Sequence, residues 1–407
     1  MNAPRLGIAR RLGDVRLQWL ILTWLLTTVA IALNRGIGLL WGVAWLLAAT
    51  LLVAALYPQL QLRGVRVRRE LPASATAGQP CELRYTLDSG AWPRYGLELL
   101  DRLGPDDDPV LAAYVERTRG CDTLRLAWTP AVRGLRTFGD FELQSRFPLD
   151  VTRARRMCAA PAQTLAVYPA TVRLKRLPLD AGDAVQADRR SPRERGGRDE
   201  YLGSRDYRHG DERRAIDWRA TARSGALTVR EYERATERTF WIWLELARSE
   251  QRGRGADGTF ETMFTLAHSA LLRAQADGCS TGLVYRDAGG FQTIPAGRDR
   301  DTVERIRDAL ARVAAAEVPP LAAWLEREAR PLPRGGTWLV FLRDPARRGA
   351  LVAAVRARGA VPVIVEFDRT FGAPDAAAPP TATHGARLDA GAWIASVSRG
   401  MDLGETF

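Results

Sequence analysis

Lysine and histidine are scarce in this chain, and their scarcity excludes several kinds of site. Among 407 residues there are three histidines and a single lysine, Lys175. A phosphate-binding loop of the G-x-x-x-x-G-K-[ST] type needs a lysine at the end of a glycine loop, whereas Lys175 lies in "TVRLKRL". The sequence therefore excludes nucleotide binding by such a loop, and Schiff-base catalysis by lysine is not expected.

Cysteine is sparse as well. The four cysteines, Cys81, Cys121, Cys158 and Cys279, lie far apart and form no C-x-x-C pair. This spacing excludes a zinc knuckle. We expect the four residues to be scattered, reduced thiols that pack as small apolar side chains.

Positive charge is abundant, but nearly all of it is arginine. The formal net charge is +12 and the sequence pI is about 10.2, a balance that ordinarily points to nucleic acid or an anionic membrane as a partner. The near absence of lysine, together with much alanine, is typical of a general compositional bias, so no nucleic-acid partner is predicted. With 46% hydrophobic residues the chain can bury two or three cores.

Two uncharged apolar runs near the N-terminus are each about as long as a membrane span. They cover residues 17–33 and 37–57 within residues 1–61, and "NRG" separates them. Because a helix needs about 20 residues to cross hydrocarbon, the sequence predicts a transmembrane helical hairpin. Arginines flank its outer ends, against Arg35 alone in its turn, which predicts a multi-pass protein of the cell inner membrane with the bulk of the chain cytoplasmic. The flanking residues are Arg5, Arg10, Arg11, Arg16, Arg63, Arg66, Arg68 and Arg69.

A cleaved signal peptide followed by one span is the alternative interpretation of these runs. It requires a small-x-small cleavage site, and none follows Leu33. It would also leave the second run in need of another explanation. The hairpin is therefore the favoured prediction.

Three further regions make this a multi-domain chain. Residues 62–180 alternate apolar and polar residues in short segments broken by Pro, Gly, Asp and Ser, which predicts a small β-sandwich-like domain. Residues 181–238 form a linker poor in apolar residues and then a charged segment. In residues 239–407 apolar strands alternate with amphipathic helices, which predicts an α/β domain with a mostly parallel sheet.

The charged segment, residues 200–233, reads "EYLGSRDYRHGDERRAIDWRATARSGALTVREYE". Its arginines and acids come at irregular intervals that fit neither an amphipathic helix nor a plain strand. Together with the two apolar runs, "SRFPLD" and "VYPA", it resembles the domain-of-unknown-function 58 family over about residues 17–345. The matching residues expected to form the site are Gly203, Arg205, Tyr207, Gly210, Asp211, Arg214, Asp217, Trp218, Arg223, Arg230 and Glu231.

The opposed charges of this segment have two interpretations. Planar guanidinium groups matched to carboxylates can hold an irregular stretch in one geometry, which predicts a structural clasp between the β domain and the α/β domain. The alternative is a recognition surface for a partner or an anionic ligand. His209 beside Asp211 could serve as a base, but no nucleophile or orienting group accompanies it, so no catalytic residue is predicted.

The resemblance implies a von Willebrand factor A-like domain. Such domains bind a divalent metal through D-x-S-x-S at the end of the first strand, where oxygen ligands suit Mg²⁺. In the "ELARS" of this chain Glu245 replaces the aspartate, Ala247 removes the first hydroxyl and Ser249 remains, with Asp344 as a later acid. We therefore expect a degenerate metal site at Glu245, Ser249 and Asp344 that does not function, and no cofactor.

The resemblance also implies a class of partner. Von Willebrand A-like domains commonly serve protein assembly, and the family resembles components that accompany MoxR-type AAA+ ATPases, often beside transglutaminase-like membrane proteins. We expect a membrane-anchored cytoplasmic interaction module that partners such an ATPase in the assembly or maturation of an envelope-associated complex, and not an enzyme. The alternatives are a hydrolase using acidic residues and His209, and an arginine-mediated binder of an anionic ligand.

Overall fold

The computed structural model divides the chain into two compact units, Met1–Tyr168 and Pro169–Phe407. Of the residues that the sequence assigns to the β domain, 169–174 belong to the second unit. The predicted linker up to residue 199, with His209 and Gly210, lies outside the described residues. The structure describes residues 6–102, 110–174, 200–208, 211, 213–233, 238–253, 255–325, 332–368, 371, 387–389 and 392–397.

The first unit begins with the consecutive helices α1 (Leu6–Arg35) and α2 (Gly38–Leu62). Between them Gly36 adopts a left-handed backbone conformation (φ 63°), which glycine reaches without a steric penalty. Within the described residues, one helix, α2, is long and apolar enough to cross a membrane, and the apolar part of α1, Trp19–Arg35, is shorter. The second predicted run is thus an apolar helix, and the membrane hairpin remains a prediction.

The C-terminal part of α2 is fixed to the β strands of the same unit. Arg94 donates hydrogen bonds to the carbonyl oxygens of Leu60 (2.5 Å) and Arg63 (2.8 Å). Arg156 donates to the carbonyl oxygen of Leu62 at 2.6 Å. The last carbonyl groups of a helix lack donor partners within the helix, and these arginines supply donors to them. The positive charge of the arginines also interacts favourably with the negative end of the helix dipole. The buried residues on this part of α2 are Ala54, Pro58, Gln61 and Leu62.

The strands of the first unit, within its described residues, are β1 (Arg66–Glu70), β2 (Ala75–Thr76), β3 (Cys81–Asp88), β4 (Arg94–Arg102), β5 (Val110–Thr118), β6 (Cys121–Trp128), β7 (Gly134–Phe138), β8 (Phe141–Ser145), β9 (Ala154–Cys158) and β10 (Gln163–Tyr168). These described strands form three sheets with the orders β1-β3-β6, β2-β10-β7 and β5-β4-β8-β9. Leu83, Tyr85 and Leu87 of β3 are buried in alternation with more exposed neighbours. The predicted period of two is therefore present, and it turns one face of the strand to the core.

A buried ion pair connects these three sheets. Arg69 of β1 donates to the carboxylate of Asp101 in β4 (2.8 Å) and to the carbonyl oxygen of Phe138 in β7 (3.0 Å). The hydroxyl group of Tyr85 in β3 donates to the same carboxylate at 2.6 Å. The side chains of Arg69 and Asp101 are 1% and 0% exposed. Each charge is therefore compensated by a partner from another sheet, and either would be costly alone.

The second unit contains the charged segment followed by an α/β region. In the charged segment lie β11 (Glu200–Asp206), α3 (Trp218–Ser224) and β12 (Thr228–Glu233). The helices after it are α4 (Thr259–Ala276), α5 (Arg300–Arg312), α6 (Leu321–Leu325) and α7 (Arg348–Arg356). The strands after it are β13 (Thr239–Trp243), β14 (Ser280–Asp287), β15 (Gly290–Gly297), β16 (Thr337–Leu342), β17 (Val361–Phe367), β18 (Arg387–Asp389) and β19 (Ala392–Val397).

The strands β13 to β19 form one mostly parallel sheet. Its order over the described residues is β15-β14-β13-β16-β17-β19-β18, and the edge strands β15 and β18 pair antiparallel with their neighbours. Apolar clusters cover both faces: one contains Phe240, Ile242 and residues of α4, and the other contains Trp243 stacked on Trp338 with ring centroids 4.2 Å apart. This confirms the predicted α/β region, since parallel strands are buried on both faces.

The chain enters the second unit along α4. The ring nitrogen Nδ1 of His268 lies 2.9 Å from the carbonyl oxygen of Pro169, in the "VYPA" motif. The backbone N–H of Val172 donates to the hydroxyl oxygen of Ser269 at 2.9 Å. Burial lowers the pKa of His268 to about 4, so the ring is neutral at physiological pH. His268 therefore helps to pack the chain around Pro169 against α4.

The ion pair between Arg69 and Asp101 leads to a prediction about stability. Asp101→Ala should lower the free energy of unfolding of the first unit by about 3–5 kcal/mol, because it leaves the Arg69 guanidinium buried without its partner. The control is Glu82→Ala, which removes a pair with Arg84 at 3.8 Å whose side chains are each 54% exposed and should have little effect. Equal melting temperatures for the two variants of the full chain would contradict the prediction.

Candidate functional site

The charged segment folds as an antiparallel hairpin with a short helix between its strands. β11 and β12 pair from Glu200 opposite Glu233 to Asp206 opposite Thr228, with a register shift between Tyr201 and Gly203. The chain that connects the strands contains a 3₁₀ turn and α3. A mixed structure of this kind explains why the sequence shows neither a helical period nor a strand period.

Asp211 is held by Arg205 in a two-pronged ion pair. The two terminal nitrogens of Arg205 donate to the two carboxylate oxygens at 2.8 and 2.9 Å, and the backbone N–H of Arg208 donates at 2.8 Å. The hydrogen bonds from Arg205 are the main reason that the pKa of Asp211 falls to about 2. The carboxylate is therefore ionised at neutral pH and fixes the chain that leaves β11.

Asp217 carries out two structural roles with one carboxylate. It caps α3 by accepting hydrogen bonds from the backbone N–H groups of Arg219 and Ala220, each at 3.1 Å. It also accepts from Nε of Arg230 on β12 at 3.0 Å. The bond from Arg230 is the main cause that lowers the pKa of Asp217. Asp217 therefore ties the start of α3 to the second strand of the hairpin.

The end of α3 is equally well defined. Gly225 adopts the left-handed conformation (φ 71°) and its N–H donates to the carbonyl oxygen of Thr221 at 3.0 Å. This conformation favours glycine and is common just after a helix. The chain then returns at once to β12, where the N–H of Thr228 donates to the hydroxyl oxygen of Thr221 at 3.0 Å.

The helix between the two acids exposes apolar and basic side chains. No residue of α3 is buried. Trp218 at its start is 66% exposed, and Leu227 just after its end is 46% exposed. Arg219 and Arg223, four residues apart and so on one face of the helix, are also exposed. We call these four residues the Trp218 surface.

The other residues singled out from the sequence have less defined places in the segment. Tyr207 is half-buried and its N–H donates to the carbonyl oxygen of Leu227 at 2.8 Å. Gly203 lies at the register shift between the strands, opposite Glu231. Arg214 lies in the 3₁₀ turn before α3, and Gly210 lies outside the described residues. Arg219 is not among the residues predicted from the sequence, because the exposure of a side chain leaves no spacing pattern.

The end of strand β13 contains the residues of the degenerate metal site. The side chain of Glu245 is buried, and its two carboxylate oxygens accept hydrogen bonds from the backbone N–H groups of Ala247 (3.0 Å) and Leu321 (2.7 Å). Burial raises its pKa to about 7. Each oxygen thus accepts a backbone hydrogen bond, and these two bonds fix the orientation of the carboxylate.

Neighbouring arginines contact the other two residues of the predicted metal site. Arg343 donates to the carbonyl oxygen of Ser249 at 3.2 Å. Asp344 accepts from the N–H of Ala346 at 3.1 Å and lies 3.5 Å from Nε of Arg347. The crevice beside Glu245 and Arg343 has a volume of about 10 Å³, room for about one water molecule. Glu245, Ser249 and Asp344 as they stand therefore do not fit an octahedral Mg²⁺ site.

Potential metal ligands elsewhere among the described residues do not form a cluster. Among them, no group of three or more His, Cys, Asp or Glu residues is arranged to hold a metal ion. The four cysteines are free thiols. The positions His209 and His384 lie outside the described residues.

Comparison with known proteins identifies the domain that contains the charged segment. The model of the family described as "Protein of unknown function DUF58" matches residues 203–364. These residues form a DUF58 domain. The match begins in β11 and ends in β17, so it includes the Trp218 surface, Glu245 and Asp344. The first unit lies outside the matched residues.

Other comparisons add little. No curated protein matches this chain. Among solved structures, a solution NMR structure of the CARDB domain of a Pyrococcus furiosus protein is 9% identical, covering 25% of this chain and 93% of that chain. Its TM-score is 0.16, which is too low to carry an argument about fold.

The double role of Asp217 leads to a prediction about local stability. Asp217→Ala should accelerate hydrogen exchange of the α3 amides strongly, because the helix loses its cap and Arg230 loses its partner. Asp217→Asn should have a smaller effect, because asparagine also caps helices but carries no charge. The control is Glu317→Ala, which removes an exposed pair with Arg248 at 3.3 Å. Exchange rates in Asp217→Ala equal to those of the control would contradict the assignment.

The buried carboxyl group of Glu245 leads to a prediction about pH. Because its folded-state pKa of about 7 lies above the ordinary value of 4.5, its contribution to stability is fully present below about pH 4.5 and is lost as the pH rises to 7. The melting temperature of the wild type should therefore fall, relative to that of Glu245→Gln, between these two pH values. Glu317→Gln, on the surface, should run parallel to the wild type, and a pH-independent difference for Glu245→Gln would refute the prediction.

Proposed function

We propose that this protein is a membrane-anchored interaction module that docks a partner on the Trp218 surface. The partner that the family resemblance suggests is a MoxR-type AAA+ ATPase, with a transglutaminase-like membrane protein as a further component. The module would serve the assembly or maturation of an envelope-associated complex. It carries out no catalysis of its own.

The observation that carries this proposal is the exposed tryptophan on a rigid support. Trp218 is 66% exposed at the first turn of a helix that is capped at both ends. Tryptophan and arginine are enriched among the few residues that supply most of the binding energy in protein interfaces. Holding them on an ordered helix reduces the entropy that binding would otherwise cost.

The charges of the segment favour an acidic or mixed protein surface as the partner. The carboxylates of Asp211 and Asp217 pair with Arg205 and Arg230, within the segment itself. Arg219 and Arg223 are exposed on α3, where they would add to the attraction for a negatively charged partner and speed its association.

The arrangement of the sheet supports a von Willebrand A-like fold for the second unit. The first strand of the α/β region, β13, lies in the interior of the sheet, with β14 and β15 on one side and β16 and β17 on the other. In such folds the functional edge lies beyond the carboxyl ends of the strands. At that edge Arg343, Arg347 and backbone donors surround the acids, so we propose that the module works without Mg²⁺.

The N-terminal helices would anchor the module in the inner membrane. We propose that α1 and α2 form a transmembrane hairpin and that the remaining chain is cytoplasmic. The support is the apolar composition of α2 and the arginines at the outer ends of the two runs, against Arg35 alone between them.

The two alternatives from the sequence find less support. A hydrolase would need a carboxyl group that is free to exchange a proton with a substrate. The pKa of Asp211 is about 2, which makes it a weak base. Glu245, whose pKa is about 7, is buried with both carboxylate oxygens accepting backbone hydrogen bonds. An arginine-mediated binder of anionic ligands would need clustered arginines without acids beside them. Arg205 and Arg230 instead pair with acids of the same segment.

Binding to the ATPase tests the proposal directly. Trp218→Ala should weaken the affinity of the full chain, reconstituted in lipid nanodiscs, for its MoxR-type ATPase by about thirtyfold or more, since truncating a central tryptophan costs about 2 kcal/mol or more. The affinity is measured by titrating labelled ATPase with the nanodiscs.

The control is an exposed apolar residue of the first unit. Leu135 is 43% exposed and lies outside the DUF58 domain, so Leu135→Ala should bind as the wild type does. Unchanged affinity of Trp218→Ala would refute the Trp218 surface as the docking site. If the full chain binds short nucleic acids or anionic lipid and does not bind the ATPase, the anionic-ligand alternative would be favoured.

A further inference from the structure

The β strands of the first unit are attached so close to the end of α2 that they approach the plane of a membrane crossed by that helix. At 1.5 Å per residue, about 20 residues span the hydrocarbon core, which corresponds to α2 from Gly38 to about Tyr57. Contact with the β strands begins before that point, because the hydroxyl group of Thr152 donates to the carbonyl oxygen of Ala54. The loop that contains Thr152 is therefore level with the last apolar turn of the helix.

Aromatic side chains surround this junction. The ring of Phe147 lies 5.7 Å from that of Tyr57 on α2 and 5.4 Å from that of Tyr95 on β4. Tyrosine is enriched where a membrane helix leaves the hydrocarbon, because its ring is apolar and its hydroxyl group is polar. Phe147 and Leu149 belong to the "SRFPLD" motif, and the side chain of Leu149 is 44% exposed.

A second exposed apolar side chain lies beside the same helix end. Trp92 is 76% exposed in the turn between β3 and β4. It precedes by two residues Arg94, whose guanidinium group binds the carbonyl oxygens of Leu60 and Arg63. At most about 7 Å of chain thus separates Trp92 from Arg94, the residue whose side chain binds the end of α2.

The charge around the junction fits the surface of an anionic membrane. Arg63 and Arg66 follow α2 directly and are exposed. Arg119 lies in the turn between β5 and β6, and its side chain donates to the carbonyl oxygen of Ala91, the residue before Trp92, at 3.2 Å. Arginine near a cytoplasmic membrane surface is attracted to anionic lipid.

We propose that Trp92 and Leu149 insert into the headgroup layer of the membrane that α2 crosses, so that the first unit rests on the bilayer surface. This inference relies on the membrane anchoring in the proposed function, and it is independent of the Trp218 surface. The ligand is the phospholipid interface, in which apolar side chains reach the acyl boundary and arginines reach the phosphates.

Photocrosslinking to lipid tests the inference. p-Benzoylphenylalanine is introduced singly, at the position of Trp92 or of Leu149, in the full chain reconstituted in nanodiscs of phosphatidylcholine and phosphatidylglycerol. Both side chains are exposed, so the replacement is compatible with the fold. After irradiation, intact-protein mass spectrometry measures the fraction of chain that carries a phospholipid.

Two control positions make the outcome decisive. Leu135 on β7 is 43% exposed, as Leu149 is, but belongs to a different sheet from the one that contains β4, β8 and β9. Leu46, 68% exposed in the middle of α2, reports on anchoring itself. We expect several-fold more lipid adduct at positions 92 and 149 than at position 135, with high yield at position 46.

Each other result overturns the inference in a different way. Adduct at position 46 with positions 92 and 149 equal to position 135 would refute contact with the headgroups while leaving the anchoring intact. Absence of adduct at position 46 would refute the anchoring, and with it this inference. Crosslinks from positions 92 and 149 to a second copy of the chain, in place of lipid, would reassign the surface to an oligomer contact.

Discussion

Asp217 is the residue on which the geometry of the charged segment depends. One carboxylate both begins α3 and binds Arg230 on the opposite strand, so the helix cannot change its direction without breaking an ion pair. Asp211 has the same relation to Arg205 on the first strand. Both acids are therefore paired within the segment and stabilise its fold. The exposed side chains of α3 are then the ones available to contact other molecules. An irregular stretch of chain becomes an ordered surface in this way.

Arginine is used in the same way elsewhere in the protein, in places where lysine is not equivalent to it. A guanidinium group has five donors in a rigid planar arrangement and can bind two acceptors in fixed directions. The ammonium group of lysine is a compact charge whose donors rotate freely. Arg69 binds a carboxylate and a carbonyl oxygen from two different sheets. Arg94 binds two carbonyl oxygens at the end of α2, and Arg348 holds both carboxylate oxygens of Glu366 at 2.5 and 2.7 Å. At each of these places the structure uses two donors of one guanidinium group.

The elements that the sequence predicts well are those whose period is local. The apolar run of α2, the alternation along β3 and the succession of strands and helices after Thr239 all follow from neighbours close in sequence. The environment of Glu245 could not be predicted in this way, because one of its donors, the N–H of Leu321, is 76 residues away. Trp218 is a second example: its large apolar side chain suggests a buried position by type, whereas its exposure depends on how Asp217 directs the helix. Long-range donors and helix direction leave no periodic signal.

The attachment of α2 to the β strands has a mechanical consequence. Because Arg94 and Arg156 hold the last carbonyl oxygens of the helix, there is no flexible joint between the apolar segment and the folded strands that follow it. If α2 crosses a membrane as proposed, a rotation of the helix about its own axis, or a change in its tilt with bilayer thickness, would turn the strands by the same angle. The orientation of the strands of the first unit would then change with the thickness of the surrounding bilayer.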